Sequence, residues 1–191
     1  MAAPAEIRKL SDLLEVSQTL GSTLDLKSAL LRVLEILEEH HGARSGTVAL
    51  LDEQTGELAV EAAVGVSWQA ARRARYKLGE GITGRVVQSG KPVVVPQVSR
   101  EPLFLNRTGA WKGAGQEEMS YVSVPIRVDG RTVGALGVSL PYRKDRAFDQ
   151  EAKFFAVAGA MVGQALRVHK LVEAERQRLL DENTQLRQEL R

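Results

Sequence analysis

The 191-residue chain contains no cysteine. That absence excludes disulfides, thiolate nucleophiles, Cys-ligated iron–sulfur or zinc sites and thioether-attached chromophores. No apolar run approaches the roughly 18 residues of a membrane span, and the start Met1-Ala-Ala-Pro-Ala-Glu6 lacks the basic and apolar regions of a signal peptide. A cytoplasmic protein without membrane association is the expectation. H-E-x-x-H, G-x-S-x-G, a paired-carboxylate constellation and the Walker loop G-x-x-x-x-G-K-[ST] are also missing, so neither a metallohydrolase nor an ATPase is expected, and the three histidines carry no metal-site spacing. Aromatic residues make up only 5% of the chain.

What is present suits a globular domain with something added: 43% of residues are hydrophobic and 26% charged, on a length that buries a good core but is short for two domains. The net charge of +2 hides an uneven distribution. Between Val66 and Gly115 stand nine basic residues, Lys112 among them, against two acidic ones, Glu80 and Glu101, a local net of +7. The remainder carries 17 basic and 22 acidic residues, a net of −5. A solvated face, a nucleic-acid surface and a pocket for a small anion would each use such an island. Direct nucleic-acid binding is not expected, because the arginines do not gather on one helix and aromatics interleave only as Trp68, Tyr76, Phe104 and Trp111.

Periodicity orders the chain. Ala5 to Leu20 spaces Ile7, Leu10, Leu14 and Ser17 at alternating three- and four-residue steps, an amphipathic helix ended by Gly21-Ser-Thr23. Asp25 is a fitting N-cap for a second helix with Leu30, Val33, Leu34 and Leu37 on one stripe and Gly42 at its end. Ser45 to Leu51 and Glu57 to Val64 read as a hairpin, and Arg73 to Leu78 as a weaker third strand. A short helix is expected over Thr83 to Gln88, then a strand over Val93-Val-Val95. Val98 to Glu118 has little periodicity and is broken by Pro102, Asn106, Gly109, Gly113 and Gly115; loops of this length tend to be functional. Met119 to Val128 and Thr132 to Leu140, joined through Asp129-Gly130, form the strongest hairpin. The economical solution is α+β: an antiparallel sheet of about six strands with the terminal helices on one face and a loop and short-helix layer on the other.

From Phe148 a helix continues to the end. Phe155, Val162, His169, Arg176, Asn183 and Leu190 stand at position a of a heptad, and Ala158, Ala165, Val172, Leu179 and Leu186 at position d. Asn183 at an a position favours a two-stranded pairing of fixed register, so a homodimer is expected. Leu10, Leu14, Phe155, Val162, Val172, Leu179, Asn183 and Leu186 are the expected dimer and signalling residues. The organisation expected is a sensory domain over residues 1–170 and a coiled-coil signalling helix over residues 171–191.

Gly79, Gly81 and Gly84 spell G-x-G-x-x-G, but they follow Arg72-Arg-Ala-Arg75 rather than an apolar parallel strand, and no H-R-D or D-F-G lies downstream. The glycines instead permit a tight turn, and the amides from Thr83 to Arg85 are expected to open a helix whose N-terminus accepts an anion.

The hairpin ending Glu61-Ala-Ala-Val-Gly65, the turn Gly79-Glu-Gly-Ile-Thr-Gly-Arg-Val-Val87, Gly90-Lys-Pro-Val-Val-Val-Pro96, Val122-Ser-Val-Pro-Ile126 and Gly130-Arg-Thr-Val-Gly-Ala-Leu-Gly-Val138 together resemble a GAF domain over nearly the whole chain. Glu101-Pro-Leu-Phe-Leu-Asn-Arg-Thr108 and Glu173-Ala-Glu-Arg-Gln-Arg-Leu-Leu-Asp-Glu-Asn183 further resemble the N-terminal regulatory domain of the NifA family of nitrogen-fixation activators. The resemblance implies a regulatory sensor, without enzyme activity of its own, ahead of an AAA+ ATPase acting on sigma-54 RNA polymerase and a DNA-binding domain, neither in this chain. It also implies 2-oxoglutarate as an effector and NifL or PII-type proteins as partners. Beyond that effector the sequence names no cofactor. The candidate ligand-binding residues are Arg75, Thr83, Arg85, Arg100, Arg107, Tyr121 and Ser123, with Arg100, Asn106, Arg107, Thr108 and Lys112 in a lid. A dimerisation and protein-docking module without a small-molecule ligand is the alternative.

Overall fold

A computed structural model describes residues 4–111 and 117–191; Lys112, Gly113 and Gly115 lie outside the described residues. Two helices, α1 (Ala5–Gly21) and α2 (Leu26–His41), precede a six-stranded antiparallel sheet. Its strands are β1 (Ser45–Leu51), β2 (Glu57–Val64), β3 (Arg75–Lys77), β4 (Val93–Val95), β5 (Met119–Val128) and β6 (Arg131–Pro141). They are arranged in the order β3-β2-β1-β6-β5-β4. Two short helices, α3 (Trp68–Arg73) and α4 (Gly81–Ser89), interrupt the strands, and α5 (Phe148–Glu189) closes the fold. The β5–β6 turn has Asp129 at φ 52° and Gly130 at φ 78°, the two left-handed residues that a tight hairpin of this hand requires.

Strand alternation sorts the side chains into two layers. Val122, Val124 and Ile126 of β5, with Leu136, Val138 and Leu140 of β6, face the helical layer and meet Leu30, Val33, Leu34 and Leu37 of α2 and Phe155, Ala158 and Val162 of α5. Ala49, Leu58, Val60 and Ala135 face the other way, against Ala71, Ile82, Val86, Val87 and Val98. Burying one such leucine or phenylalanine contributes about 1.5–3 kcal/mol, so both faces are anchored.

Helix α5 lies unusually close to β5. A Cβ at Gly163 would overlap the carbonyl oxygen of Arg127, and one at Gly159 would come within 3.1 Å of the Pro125 carbonyl. The first half of α5 is thereby seated on the strand, whereas every residue beyond Lys170 is exposed. Phe155 and Val162 are wholly buried in the core of their own chain. This corrects their expected place in an intermolecular seam: the heptad phase there is satisfied by the sheet. Val172, Leu179, Asn183 and Leu186, past the end of the sheet, are open to solvent.

On α1, Ile7, Leu10 and Leu14 face outward, each more than half exposed, so the two named as dimer residues, Leu10 and Leu14, lie outside the core of the chain. The buried side of α1 is instead Asp12 and Val16, flanked by Leu13 and Leu20. Asp12 is tolerated there because its carboxylate lies 2.9 Å from His40 Nδ1 at the end of α2. Two elements were not expected: α3, one and a half turns long and held by buried Ala71, and a 3-10 turn at Val98–Arg100 inside the aperiodic stretch. No described helix is long and apolar enough to cross a membrane.

Candidate functional site

On the sheet face opposite α1, α2 and α5, a cavity lies between β1, β5 and β6 below and the segment from Phe104 to Ala110 above, with α4 at one side. Its floor is polar. Tyr121 of β5 reaches across to β6, where Gly137 leaves room: a Cβ at residue 137 would overlap the phenol oxygen. The hydroxyls of Thr83, Thr47 and Ser123 surround that oxygen. Ser123 Oγ is buried beside the phenol but falls short of good hydrogen-bond geometry to it, and a further polar group would complete it. Burial pushes the Tyr121 phenol above its ordinary pKa, against the smaller opposing pull of the neighbouring hydroxyls, so the group is a neutral donor.

The cover is latched. Arg107 donates to the Glu80 carboxylate and to the backbone carbonyl of Arg75, and its guanidinium stands over the Tyr76 ring, 5.1 Å from the centroid. The hydrogen bond from Arg107 holds the Glu80 carboxyl below the usual glutamate range. Phe104 lays its ring edge-on to Tyr121 at 5.2 Å. Asn106, at φ 54°, braces the segment by exchanging bonds with Trp111: its amide donates to the Trp111 carbonyl at 2.5 Å, and its side-chain oxygen accepts from the Trp111 N–H at 3.0 Å. So closed, the cavity holds only about 30 Å³ of free space, enough for about one water.

The Gly79-x-Gly81-x-x-Gly84 segment shapes the wall. Gly79 takes φ +81°, and a Cβ at Gly84 would overlap the Lys77 carbonyl, so the spacing serves the turn from β3 into α4. The helix begins two residues earlier than expected, and the Gly84 N–H already donates to the Glu80 carbonyl. The amides left free by helix geometry are therefore those of Gly81, Ile82 and Thr83 rather than Thr83 to Arg85.

Of the candidate residues, Thr83, Arg107 and Tyr121 line the cavity, as do Asn106 and Thr108, and Ser123 adjoins the phenol. Arg75 lies behind the latch, its guanidinium turned to the Arg72 and Ala74 carbonyls. Arg85 and Arg100 do not line the cavity: Arg85 is on the solvent side of α4, and Arg100 is exposed at the end of the 3-10 turn, near Glu118. The sequence reading missed Thr47, Tyr76, Glu80, Phe104 and Gly137. Gly137 had a signal in principle, a glycine inside a strand, but its partner became visible only with the β5–β6 register, in which Gly137 faces Ser123. No group of acidic and histidine side chains suited to a metal exists among the described residues.

Comparison with known proteins agrees with this architecture. The model of the GAF domain family matches residues 23–167. The chain is 36% identical over 183 residues to a Nif-specific regulatory protein of Herbaspirillum seropedicae, covering 95% of this chain and 34% of that protein. It is 37% identical over 191 residues to the Nif-specific regulatory protein of Azospirillum brasilense, covering 96% of this chain and 29% of that one. The chain thus spans about a third of the length of these relatives. Among solved structures, the nlh2 GAF domain of A. aeolicus in an inactive state superposes with a TM-score of 0.76 at 22% identity, over 85% of this chain and 98% of that one. Matched by the family model through its sheet, cavity and core helices, the chain belongs to the GAF domain family, with Nif-specific regulatory proteins as relatives.

Proposed function

We propose that this chain is the sensory module of a NifA-like, sigma-54-dependent activator of nitrogen-fixation genes, and that its cavity admits a small anionic metabolite, 2-oxoglutarate being the first candidate. The observation that carries the reading is the Arg107–Glu80 latch over a polar floor made by the Tyr121 phenol and the hydroxyls beside it. A ligand carboxylate replaces Glu80 as the partner of Arg107, whose planar fork suits it, while Tyr121, Thr83 and Ser123 donate to the other end. One water's worth of space does not hold a dicarboxylate, so binding lifts the segment carrying Phe104 and Arg107. The ligand can shift only an equilibrium whose two states bind it differently, and opened and closed covers are such states.

Tyr121 and Ser123 stand on the strand that seats α5 through Gly159 and Gly163. A displacement of β5 therefore reaches the long helix directly. In this reading residues 1–170 sense, residues 171–191 form a coiled coil in a cytoplasmic homodimer, and the AAA+ and DNA-binding domains of the full protein respond. The fragment itself is not an enzyme, does not contact nucleic acid or membrane, and takes a second input from a NifL or PII-type protein.

Isothermal titration of the 191-residue chain with 2-oxoglutarate, beside succinate, glutamine and cyclic nucleotides, tests the proposal. Saturable heat with 2-oxoglutarate that disappears in Arg107→Ala supports it; no heat from any of them at millimolar ligand overturns it in favour of a protein-docking module.

A further inference from the structure

A second concave site lies at the end of the helical layer where α1 begins, α2 ends and α5 starts. It is a cleft of about 350 Å³, and cationic side chains converge on it from three separate stretches of chain: Arg8 and Lys9 from α1, Arg44 from just before β1, and Arg143 and Arg146 from the β6–α5 connection. Glu151, in the first turn of α5, is the only carboxylate among the described residues of the lining, so apart from the two histidines that lining has five positive charges and one negative.

Part of this charge is answered within the fold. Glu151 accepts from Arg146 at 3.2 Å and lies 2.7 Å from His41 Nε2, and Arg44 reaches the exposed Glu117 at 3.5 Å. Arg8, Lys9 and Arg143 are in no ion pair among the described residues. Arg146 carries the second, independent sign. Its side chain is only 9% exposed, its terminal nitrogens bond Glu151 and the Pro141 carbonyl, yet its Nε is sealed from solvent with no acceptor. A buried guanidinium N–H without a partner is costly, and because Arg146 lines the cleft, a turn of its side chain towards a bound oxygen supplies one.

We propose that this cleft binds a compact polyanion, of the phosphate-ester or pyrophosphate class, at a site separate from the cavity under Arg107. Concavity and volume fit a small ligand, and the excess charge fits one carrying several negative charges. The bound anion bridges the start of α1 to the start of α5, so it steadies the helical layer from which the long helix departs. The inference does not depend on what the Tyr121 cavity binds.

Calorimetric titration of the 191-residue chain with pyrophosphate at low salt, against chloride at matched ionic strength, is the test. Saturable binding that weakens at least about tenfold in Arg8→Ala/Arg143→Ala and persists in Arg107→Ala is the expected result. Both replaced arginines are exposed, and an unchanged urea midpoint verifies that the double variant folds. Arg146→Lys, which keeps the charge but removes the fork, should also weaken binding. Absence of saturation, equal affinity in the double variant, or loss of binding in Arg107→Ala overturns the proposal. So does an acidic peptide that binds the cleft without competition from pyrophosphate.

Discussion

The phenol oxygen of Tyr121 occupies the place a side chain at Gly137 would take, so the floor of the cavity exists only because β6 is bare at that point. Gly137→Ala forces the tyrosine out or the strands apart. Overpacking of this kind costs about 1–3 kcal/mol. Urea denaturation should show that loss, and a midpoint equal to that of the parent chain would mean Tyr121 has another place to go.

The same logic applies on the other face, where Gly163 lets α5 rest on the Arg127 carbonyl. Gly163→Ala adds a methyl against backbone that cannot swing aside, with an expected loss of about 1–3 kcal/mol. Gly21→Ala is the internal control: nothing lies within 4 Å of its Cβ position, and there the change should be neutral or gain up to about 1 kcal/mol through helix propensity. Equal effects at the two glycines would remove close packing as the explanation.

Much of this was readable beforehand. Binary alternation placed the β5–β6 hairpin and its Asp129-Gly130 turn, and helical spacing placed α2, because each signal lies in consecutive residues. Phe155 and Val162 misled for a physical reason: an apolar stripe records that a helix face is buried, not whether its partner is a sheet or a second chain. Helix α3 is too short for a period to develop. Arg107 was picked out by charge, but its partners Glu80 and Arg75 lie 27 and 32 residues away. The His41–Glu151 pair is separated by 110 residues, and no local pattern reports it.

That pair predicts an acid limb in stability. Burial alone would raise the Glu151 pKa, but the hydrogen bond with His41 and the charges of His41, Lys9 and Arg146 leave it below the usual glutamate range. A carboxyl depressed in the folded state contributes stability that is present above its unfolded pKa and is lost as the pH falls through the folded value. Glu151→Gln should therefore destabilise the chain by about 1.5–3 kcal/mol near neutrality. The difference from the parent should shrink as the pH drops below the ordinary carboxylate range. Denaturation midpoints of both chains across the acid range measure it, and a pH-independent difference would assign the effect to packing against Phe154, whose ring stacks on His41 at 4.3 Å.

The Arg107–Glu80 latch predicts a local effect without a global one. Both groups are partly exposed, and surface ion pairs add little to overall stability. Glu80→Gln should leave the melting temperature unchanged while speeding amide exchange over residues 104–110, which cover the cavity. Amides in α2 and β5 should not change. Uniform acceleration across the chain would instead show that the cover opens only with global unfolding.

Beyond Lys170 every residue of the helix is exposed, Leu179 and Leu186 each at 52%. Forty-two residues of helix with its second half unpartnered is marginal in water unless an apolar face is covered. In the proposed homodimer, pairing with a second copy through Val172, Leu179 and Leu186 would supply that cover, and Asn183 between them would set the register at a cost in stability. Leu179→Asp/Leu186→Asp should therefore shift sedimentation from dimer towards monomer and lower helical content by circular dichroism. Asn183→Val should do the reverse, tightening association and admitting oligomers larger than a dimer. A parent chain that sediments as a monomer at about 100 µM would remove the paired helix, since association follows mass action.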